Sequence, residues 1–209
     1  MDSETLEAYE AHGERLASEY REHKRVSSEK FKRAFPNHSR ILEVGVGSGI
    51  DFSVMIKAGF EVLGLEPSKE LQKHAERFFP EVKGRVVADA FPLERERLKE
   101  WGSSFDGIHC CAFVMHFKKK DRPLIWEQFG TLLRKGGRLF CRFSETRDGL
   151  DEQGRDAMGR FYQILSEDEI LDECEKAGFR LLEKWEDKSV SFSRGKGWKS
   201  HVYEWNGSD

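Results

Sequence analysis

Cysteine is scarce in this chain of 209 residues, and its pattern does not suggest a metal site. Structural zinc sites use closely spaced pairs of cysteines or histidines. The four cysteines here include no CxxC pair and no histidine at metal-site spacing: Cys110, Cys111, Cys141 and Cys174. We expect reduced, mostly buried thiols that behave as small hydrophobic residues, and no bound metal.

Long apolar runs and an excess of one charge are also missing. No apolar stretch approaches the roughly 18 residues of a membrane-spanning helix, and the acidic start of the chain has no apolar segment of the signal-peptide kind. The 35 basic and 38 acidic residues give a net charge of −3 and are mixed along the chain. No general field attracts nucleic acid or an anionic membrane. We expect a cytoplasmic monomer or homodimer with neither of these partners.

Glycines at alternate positions interrupt an apolar run at residues 41–52, ILEVGVGSGIDF. Gly45, Gly47 and Gly49 allow the backbone to bend sharply and a ligand to approach it closely. A helical pattern resumes after them, and the start of a helix presents amide groups to a ligand. This stretch predicts a strand, a tight turn and the beginning of a helix.

Carboxylates follow the next two apolar runs. The apolar run at residues 62–65 is followed by Glu66, about twenty residues after the first glycine. Nucleotide-binding α/β units place a carboxylate at this position, where it holds ribose hydroxyls. Residues 86–90 contain Asp89. Either carboxylate alone is often a solvated turn residue. Both together, at successive predicted strand ends, indicate a nucleoside site.

Predicted strands and helices alternate from Arg40 onward, which is typical of a parallel sheet with crossover helices. A capping box at Ser166 and Glu169 begins a last helix, followed by two strands that we expect to pair antiparallel. The predicted strands are residues 41–44, 62–65, 86–88, 105–112, 137–143, 179–187 and 199–205. The predicted helices between the first five strands are residues 49–58, 69–78, 94–101 and 122–133, and we expect Ser68 to cap the second of them.

The series E-x-G-x-G-x-G, then Glu66, then Asp89 resembles the class I S-adenosylmethionine-dependent methyltransferases, in particular small bacterial-type enzymes acting on small molecules. The resemblance covers about residues 41–143. It implies an α/β fold with a seven-stranded Rossmann-like sheet, mostly parallel with an antiparallel C-terminal strand, and helices on both faces. It also implies one domain of residues 1–209. We divide it into an N-terminal helical lid (1–35), a cofactor-binding core (40–143), an acceptor-side insertion (144–165) and a C-terminal helix and strand pair (166–209).

The resemblance assigns S-adenosylmethionine as the cofactor and gives each matching residue a role. Glu66 would hold the ribose hydroxyls and Asp89 the adenine amino group, while Glu43 would lie under the amino-acid portion. The glycines would let the backbone reach the methionine and ribose parts. The residues expected to bracket the adenine ring or to close over the cofactor are Ala90, Phe91, Tyr9 and Tyr20. For the two tyrosines, simple packing against the sheet is the alternative.

The acceptor side is less well specified. His116, in CCAFVMHF after the fourth predicted strand, is the nearest candidate for a general base, with a packing or capping role as the alternative. Residues 144–165 are longer than a plain connection requires. We expect the walls of an acceptor pocket to be Tyr9, Tyr20, Arg142, Phe161 and Tyr162.

The function predicted is transfer of a methyl group from S-adenosylmethionine to a small molecule, leaving S-adenosylhomocysteine. The chain has no N-P-P-Y-like tetrapeptide, the signature of methylation on the exocyclic amines of nucleic-acid bases, which argues for a small acceptor. Three alternatives remain. They are a methyltransferase acting on RNA or protein, a non-catalytic S-adenosylmethionine-binding protein, and a nicotinamide-dependent oxidoreductase. An RNA substrate is only weakly supported, by the basic residues 118–120 and Arg122.

Overall fold

A computed structural model of the chain describes residues 1–23, 26–187 and 198–207, and the predicted alternation of strands and helices is present in it. The helices are α1 (Ser3–His23), α2 (Glu29–Ala34), α3 (Ile50–Lys57), α4 (Lys69–Phe78), α5 (Arg95–Trp101), α6 (Arg122–Leu132) and α7 (Glu167–Lys176). The strands are β1 (Arg40–Val44), β2 (Glu61–Leu65), β3 (Val86–Val87), β4 (Phe105–Cys111), β5 (Leu133–Ser144), β6 (Phe179–Asp187) and β7 (Trp198–Trp205).

The described strands form one seven-stranded sheet in the order β3-β2-β1-β4-β5-β7-β6. Strands β1 to β5 pair in parallel, whereas β7 is antiparallel to both β5 and β6. The predicted fold class is therefore confirmed. The order reverses between β1 and β4, and open α/β sheets bind their ligands outside the carboxyl ends of the strands at such a point. The expected turn between β6 and β7 lies outside the described residues.

One strand boundary differs from the prediction. The fifth strand is predicted to begin at Gly137, but β5 already begins at Leu133, which pairs with Phe105. The register then shifts before Gly107 pairs with Arg138. Gly136 has a φ of 76°, so the two glycines lie in an irregularity inside the strand and do not mark its start.

The two faces of the sheet bury separate apolar clusters. Helices α5, α6 and α7 cover one face, where the largest buried side chains include Trp126, Phe129 and Phe105. Helices α2, α3 and α4 cover the other, which contains Phe31 and Phe52. No helix in the described part of the chain is long and apolar enough to cross a membrane.

The cysteines lie mainly in the core. Cys110, Cys141 and Cys174 are buried free thiols, and Cys111 is partly buried. A contact with Cys141, together with burial, raises the pKa of the Cys110 thiol. Within residues 1–23, 26–187 and 198–207, no group of three or more histidine, cysteine or acidic side chains is placed to hold a metal ion.

A buried ion pair joins α6 to α7. The Arg122 side chain is fully buried and donates from Nη2 to Glu173 Oε1 at 2.6 Å and from Nε to Oε2 at 2.9 Å. Trp126 Nε1 donates to the same carboxylate at 2.9 Å. Arg122 is therefore a core residue, and it adds nothing to a basic surface at residues 118–120.

Removing the charge of Glu173 should destabilise the fold strongly, because it leaves the buried Arg122 guanidinium uncompensated. We expect Glu173→Gln to lower the free energy of unfolding by about 3 kcal/mol in urea denaturation. The matched control is Asp172→Asn, whose exposed pair with Lys176 lies on the same helix and should change stability by less than about 0.5 kcal/mol. Equal losses in the two variants would contradict this interpretation.

Candidate functional site

The glycine turn joins β1 to α3 at the carboxyl edge of the sheet. Gly45, Gly47 and Gly49 all have positive φ, at 75°, 56° and 82°. A Cβ added to Gly49 would lie 2.9 Å from the Cβ of Ala75, so packing against α4 requires glycine there. A Cβ on Gly47 would meet only the Gly45 carbonyl oxygen, at 3.9 Å. The surface above Gly47 is open to a ligand.

The Glu66 carboxylate connects this turn to the loop after β2. The side chain is buried, and its two oxygens accept from the backbone N–H groups of Gly47 at 2.8 Å and Ser68 at 2.9 Å. Burial raises the pKa of Glu66 to about 7, although the two N–H groups act in the opposite direction. A carboxylate has about four acceptor sites, so it can still accept from hydroxyl groups.

The third strand end carries the predicted adenine contacts. Asp89 is partly exposed; its carboxylate accepts from the Ala90 N–H at 2.9 Å and pairs with Arg97 Nε at 3.3 Å. The Phe91 ring is buried and makes edge contacts with the rings of Phe113 and Phe129 at centroid distances of 5.9 and 5.1 Å. Phe91 thus contributes its ring to the core, and the contact of this ring with adenine stays a prediction.

Glu43 lies inside the sheet, two residues before the glycine turn begins. Its Oε1 is 3.4 Å from Nδ1 of His109, the residue beside it on β4, and both side chains are buried. The predicted place of Glu43 under the amino-acid portion of the cofactor is not tested by this geometry.

Helix α1 lies along the N-terminal end of α4. The Ser68 hydroxyl accepts from the Leu71 N–H, as predicted for a helix cap, and donates to Glu10 Oε2 at 2.8 Å. The Glu70 N–H donates to the same oxygen at 3.3 Å. The hydrogen bond from Ser68 is the main cause of a lowered pKa for Glu10. These contacts fix α1 next to the loop that holds Glu66.

Further along the edge of the sheet, α1 reaches His116. The Nδ1 atom of His116 is 2.6 Å from the Phe161 carbonyl oxygen, so Nδ1 carries the hydrogen. Nε2 therefore accepts from the Tyr9 hydroxyl, at 2.9 Å. Burial lowers the pKa of His116 to about 4, which keeps the ring neutral. Both ring nitrogens are engaged, so His116 could take a proton from an acceptor only through Tyr9, and its role as a base stays a prediction.

Residues 144–165 are joined to α1 by a second set of contacts. Arg160 is buried; its Nη2 pairs with Asp156 at 2.6 Å and its Nη1 donates to the Tyr20 hydroxyl at 3.2 Å. The Phe161 N–H donates to Thr5 Oγ1 at 2.9 Å. Thr5, Glu10 and Asp156 could not be predicted from the sequence, because single polar residues in a helix or a loop carry no periodic signal.

A cavity opens between these segments at the carboxyl ends of β4 and β5. It encloses about 440 Å³ of empty space, including its open mouth. Ala112 directly follows β4 and is one of the lining residues; its φ of 55° turns the chain there. The other lining residues are Tyr9, Tyr20, Met115, His116, Ser144, Thr146, Arg147, Tyr162, Gln163, Ile164 and Trp198.

Two of the five predicted wall residues lie outside this lining. The Arg142 side chain is held between β4 and β7, where it donates to Ser200 Oγ at 3.1 Å and lies 3.8 Å from Cys111 Sγ. The Phe161 ring lies beneath the Arg155 guanidinium, 5.9 Å from ring centroid to Cζ. Tyr9, Tyr20 and Tyr162 do line the cavity, although they come from two distant parts of the chain.

Comparison with known proteins decides the family. The family described as "methyltransferase domain" matches residues 14–184. The chain belongs to this family. An uncharacterized methyltransferase of Bacillus mycoides (strain KBAB4) is 26% identical over 132 residues, which are 61% of this chain. The match spans 58% of the length of that relative.

Solved methyltransferase structures share the fold. A TehB-like SAM-dependent methyltransferase from Corynebacterium glutamicum superposes with a TM-score of 0.67 at 21% identity, covering 92% of this chain and 97% of the other. A Burkholderia thailandensis 1,6-didemethyltoxoflavin-N1-methyltransferase, with bound 1,6-didemethyltoxoflavin and S-adenosylhomocysteine, gives 0.65 at 19% identity, covering 87% and 76%. The predicted class I S-adenosylmethionine-dependent methyltransferase family and its cofactor are confirmed.

The geometry of this methyltransferase fits the cofactor. The open surface over Gly47 leaves room for a ligand to lie against the protein backbone. The Glu66 carboxylate beside it has acceptor sites left for hydroxyl groups. Asp89 is partly exposed at the end of the next strand. The individual contacts remain predictions.

Cofactor affinity should depend on pH through Glu66, because an ionised carboxylate accepts hydrogen bonds from hydroxyls better than its protonated form does. We expect calorimetry to show S-adenosylhomocysteine binding more tightly as the pH rises through about 7. Glu66→Gln cannot ionise, so it should bind more weakly and without this pH dependence. The same pH dependence in both proteins would contradict the role of Glu66.

The same variant tests the sign of the pKa shift. The folded-state pKa of Glu66 is raised, so the protonated carboxyl stabilises the fold at low pH, and this contribution is lost as the pH rises through about 7. Without ligand, the free energy of unfolding of the wild-type protein should therefore fall relative to that of Glu66→Gln as the pH rises from 4.5 to about 7.

Proposed function

We propose that this methyltransferase transfers a methyl group from S-adenosylmethionine to a small molecule held in the cavity lined by Tyr9, Tyr20 and Tyr162, leaving S-adenosylhomocysteine. The observation that carries the proposal is the enclosure of this cavity by α1 and residues 144–165. A pocket between two such segments suits an acceptor that is surrounded and shielded from water, whereas a macromolecular substrate requires an open face.

The chain's own residues would act mainly by positioning. The cofactor supplies an electrophilic methyl group on a sulfonium. The glycine turn, Glu66, Asp89 and Ala90 would hold it at the carboxyl ends of β1 to β3, and Tyr9 and Tyr20 would close over it from α1. Holding an acceptor atom in line with the methyl group and excluding water account for most of the catalysis expected at such a site.

The charges near the cavity favour a small acceptor over RNA. Among the basic residues after β4, Arg122 is buried against Glu173, and the Lys119 ammonium pairs with Glu169 at 2.5 Å. RNA binding relies on a contiguous set of basic side chains facing the phosphates. The Burkholderia thailandensis methyltransferase, with bound 1,6-didemethyltoxoflavin, has the same fold and supports the small-molecule proposal by analogy. A cytoplasmic location and a monomeric or homodimeric state stay predictions.

Transfer of a labelled methyl group tests the proposal. The protein would be incubated with S-adenosylmethionine carrying a radioactive methyl group and, separately, with the small-molecule, RNA and protein fractions of a cell extract. We expect label in the small-molecule fraction alone. The control is Glu66→Ala, which should weaken cofactor binding by about 1 to 3 kcal/mol and reduce labelling at limiting cofactor.

Each other outcome supports a different function. Label in the RNA or protein fraction would show that the acceptor is a macromolecule and would contradict the small-molecule proposal. Cofactor binding in calorimetry without label in any fraction would favour a non-catalytic S-adenosylmethionine-binding protein.

A further inference from the structure

The Tyr162 hydroxyl is a polar group that is available to a ligand in the cavity. The Tyr162 side chain is only 6% exposed and lines the cavity. Its hydroxyl has no hydrogen-bond partner among the described residues, although the backbone N–H of Tyr162 donates to Gly154. Burial raises the pKa of Tyr162 to about 12, so the hydroxyl keeps its hydrogen at neutral pH. The hydroxyl oxygen is not among the fully buried polar atoms that lack a partner, so it is accessible from the cavity and can donate to a ligand.

A second hydroxyl hydrogen is available on α1. The Tyr20 hydroxyl accepts from Arg160 Nη1 at 3.2 Å, which leaves its own hydrogen free to donate. Tyr9 differs, since its hydroxyl hydrogen is used in the bond to His116. The cavity therefore offers two phenol donors, one from each covering segment, and the Arg160 guanidinium next to Tyr20 polarises one of them.

The rest of the wall contains both polar and apolar side chains. Ser144, Thr146, Arg147 and Gln163 are polar, and the Arg147 guanidinium is paired with Asp156 at 3.0 Å. Trp198, Met115 and Ile164 also line the cavity, and the imidazole of His116 is neutral. Aromatic rings and a thioether pack well against a flat, polarisable molecule. The described wall thus combines two oxygen-directed donors with surfaces for a ring.

We propose that the acceptor is a flat aromatic or heteroaromatic molecule carrying an oxygen that accepts hydrogen bonds from Tyr162 and Tyr20. This rests on the proposed function, because it places the acceptor in the same cavity. Tyr162 and Tyr20 are specificity-determining residues in this view. They select an oxygen substituent on a ring and reject both non-planar acids and rings without such an oxygen.

Ligand-detected NMR on the protein saturated with S-adenosylhomocysteine tests this, with three probes. Benzoate has both features, cyclohexanecarboxylate keeps the carboxylate without the flat ring, and aniline keeps the ring without the oxygen. We expect benzoate to bind more tightly than either. Tyr162→Phe and Tyr20→Phe each remove one donor and keep the ring, so each should weaken benzoate binding by roughly three- to tenfold, the value of one hydrogen bond.

The matched control is Tyr203→Phe, which removes a hydroxyl bonded to His201 in the core at 2.7 Å, away from the cavity. It should leave benzoate binding unchanged, and thermal denaturation would show whether each variant is folded. Failure of the wild-type protein to bind S-adenosylhomocysteine would contradict the proposed function and this inference with it. If S-adenosylhomocysteine binds but benzoate shows no preference, or both cavity variants bind it like wild type, only the inference is overturned.

Discussion

The buried Glu66 carboxylate, held by the amides of Gly47 and Ser68, connects the two loops that flank the cofactor site. One oxygen faces the glycine turn after β1, and the other faces the start of α4. Burial alone would make this carboxylate costly, and the raised pKa of about 7 reflects that cost. The two amides offset it in part, and ribose hydroxyls would offset more. Cofactor binding and local stability therefore depend on the same group.

Helix α1 extends this connection across the edge of the sheet. Ser68, next in the loop, donates to Glu10, and one residue earlier on α1 the Tyr9 hydroxyl donates to His116. His116 in turn holds the Phe161 carbonyl in the segment of residues 144–165. A continuous set of polar contacts thus runs from the cofactor loops, through α1, to the cover of the acceptor cavity. The side chains of Glu66, Ser68 and His116 in this set are buried, so the loss of a contact to one of these three leaves a buried polar group unsatisfied.

The sequence allowed the fold to be predicted because glycine spacing, strand-end carboxylates and helix caps are local signals. The Ser68 cap and the Ser166 capping box are present as expected. The acceptor side was less predictable, because its contacts join residues more than a hundred positions apart. Arg142 points between β4 and β7, and the Phe91 ring faces the core; neither direction is encoded by strand period alone. The partners of Arg160 likewise depend on how a long loop folds back onto α1.

Helix α1 and residues 144–165 would form a cover whose stability is coupled to the cofactor site. Hydrogen exchange of residues 3–23 and 144–165, with and without S-adenosylhomocysteine, tests this most directly. Ligand hydroxyls at Glu66 should stabilise the loop that holds Ser68 and, through Glu10 and Tyr9, the cover. We predict slower exchange in both segments on adding S-adenosylhomocysteine, and a smaller effect in Glu10→Gln. Unchanged exchange in both segments, under conditions where calorimetry shows the ligand bound, would contradict the coupling.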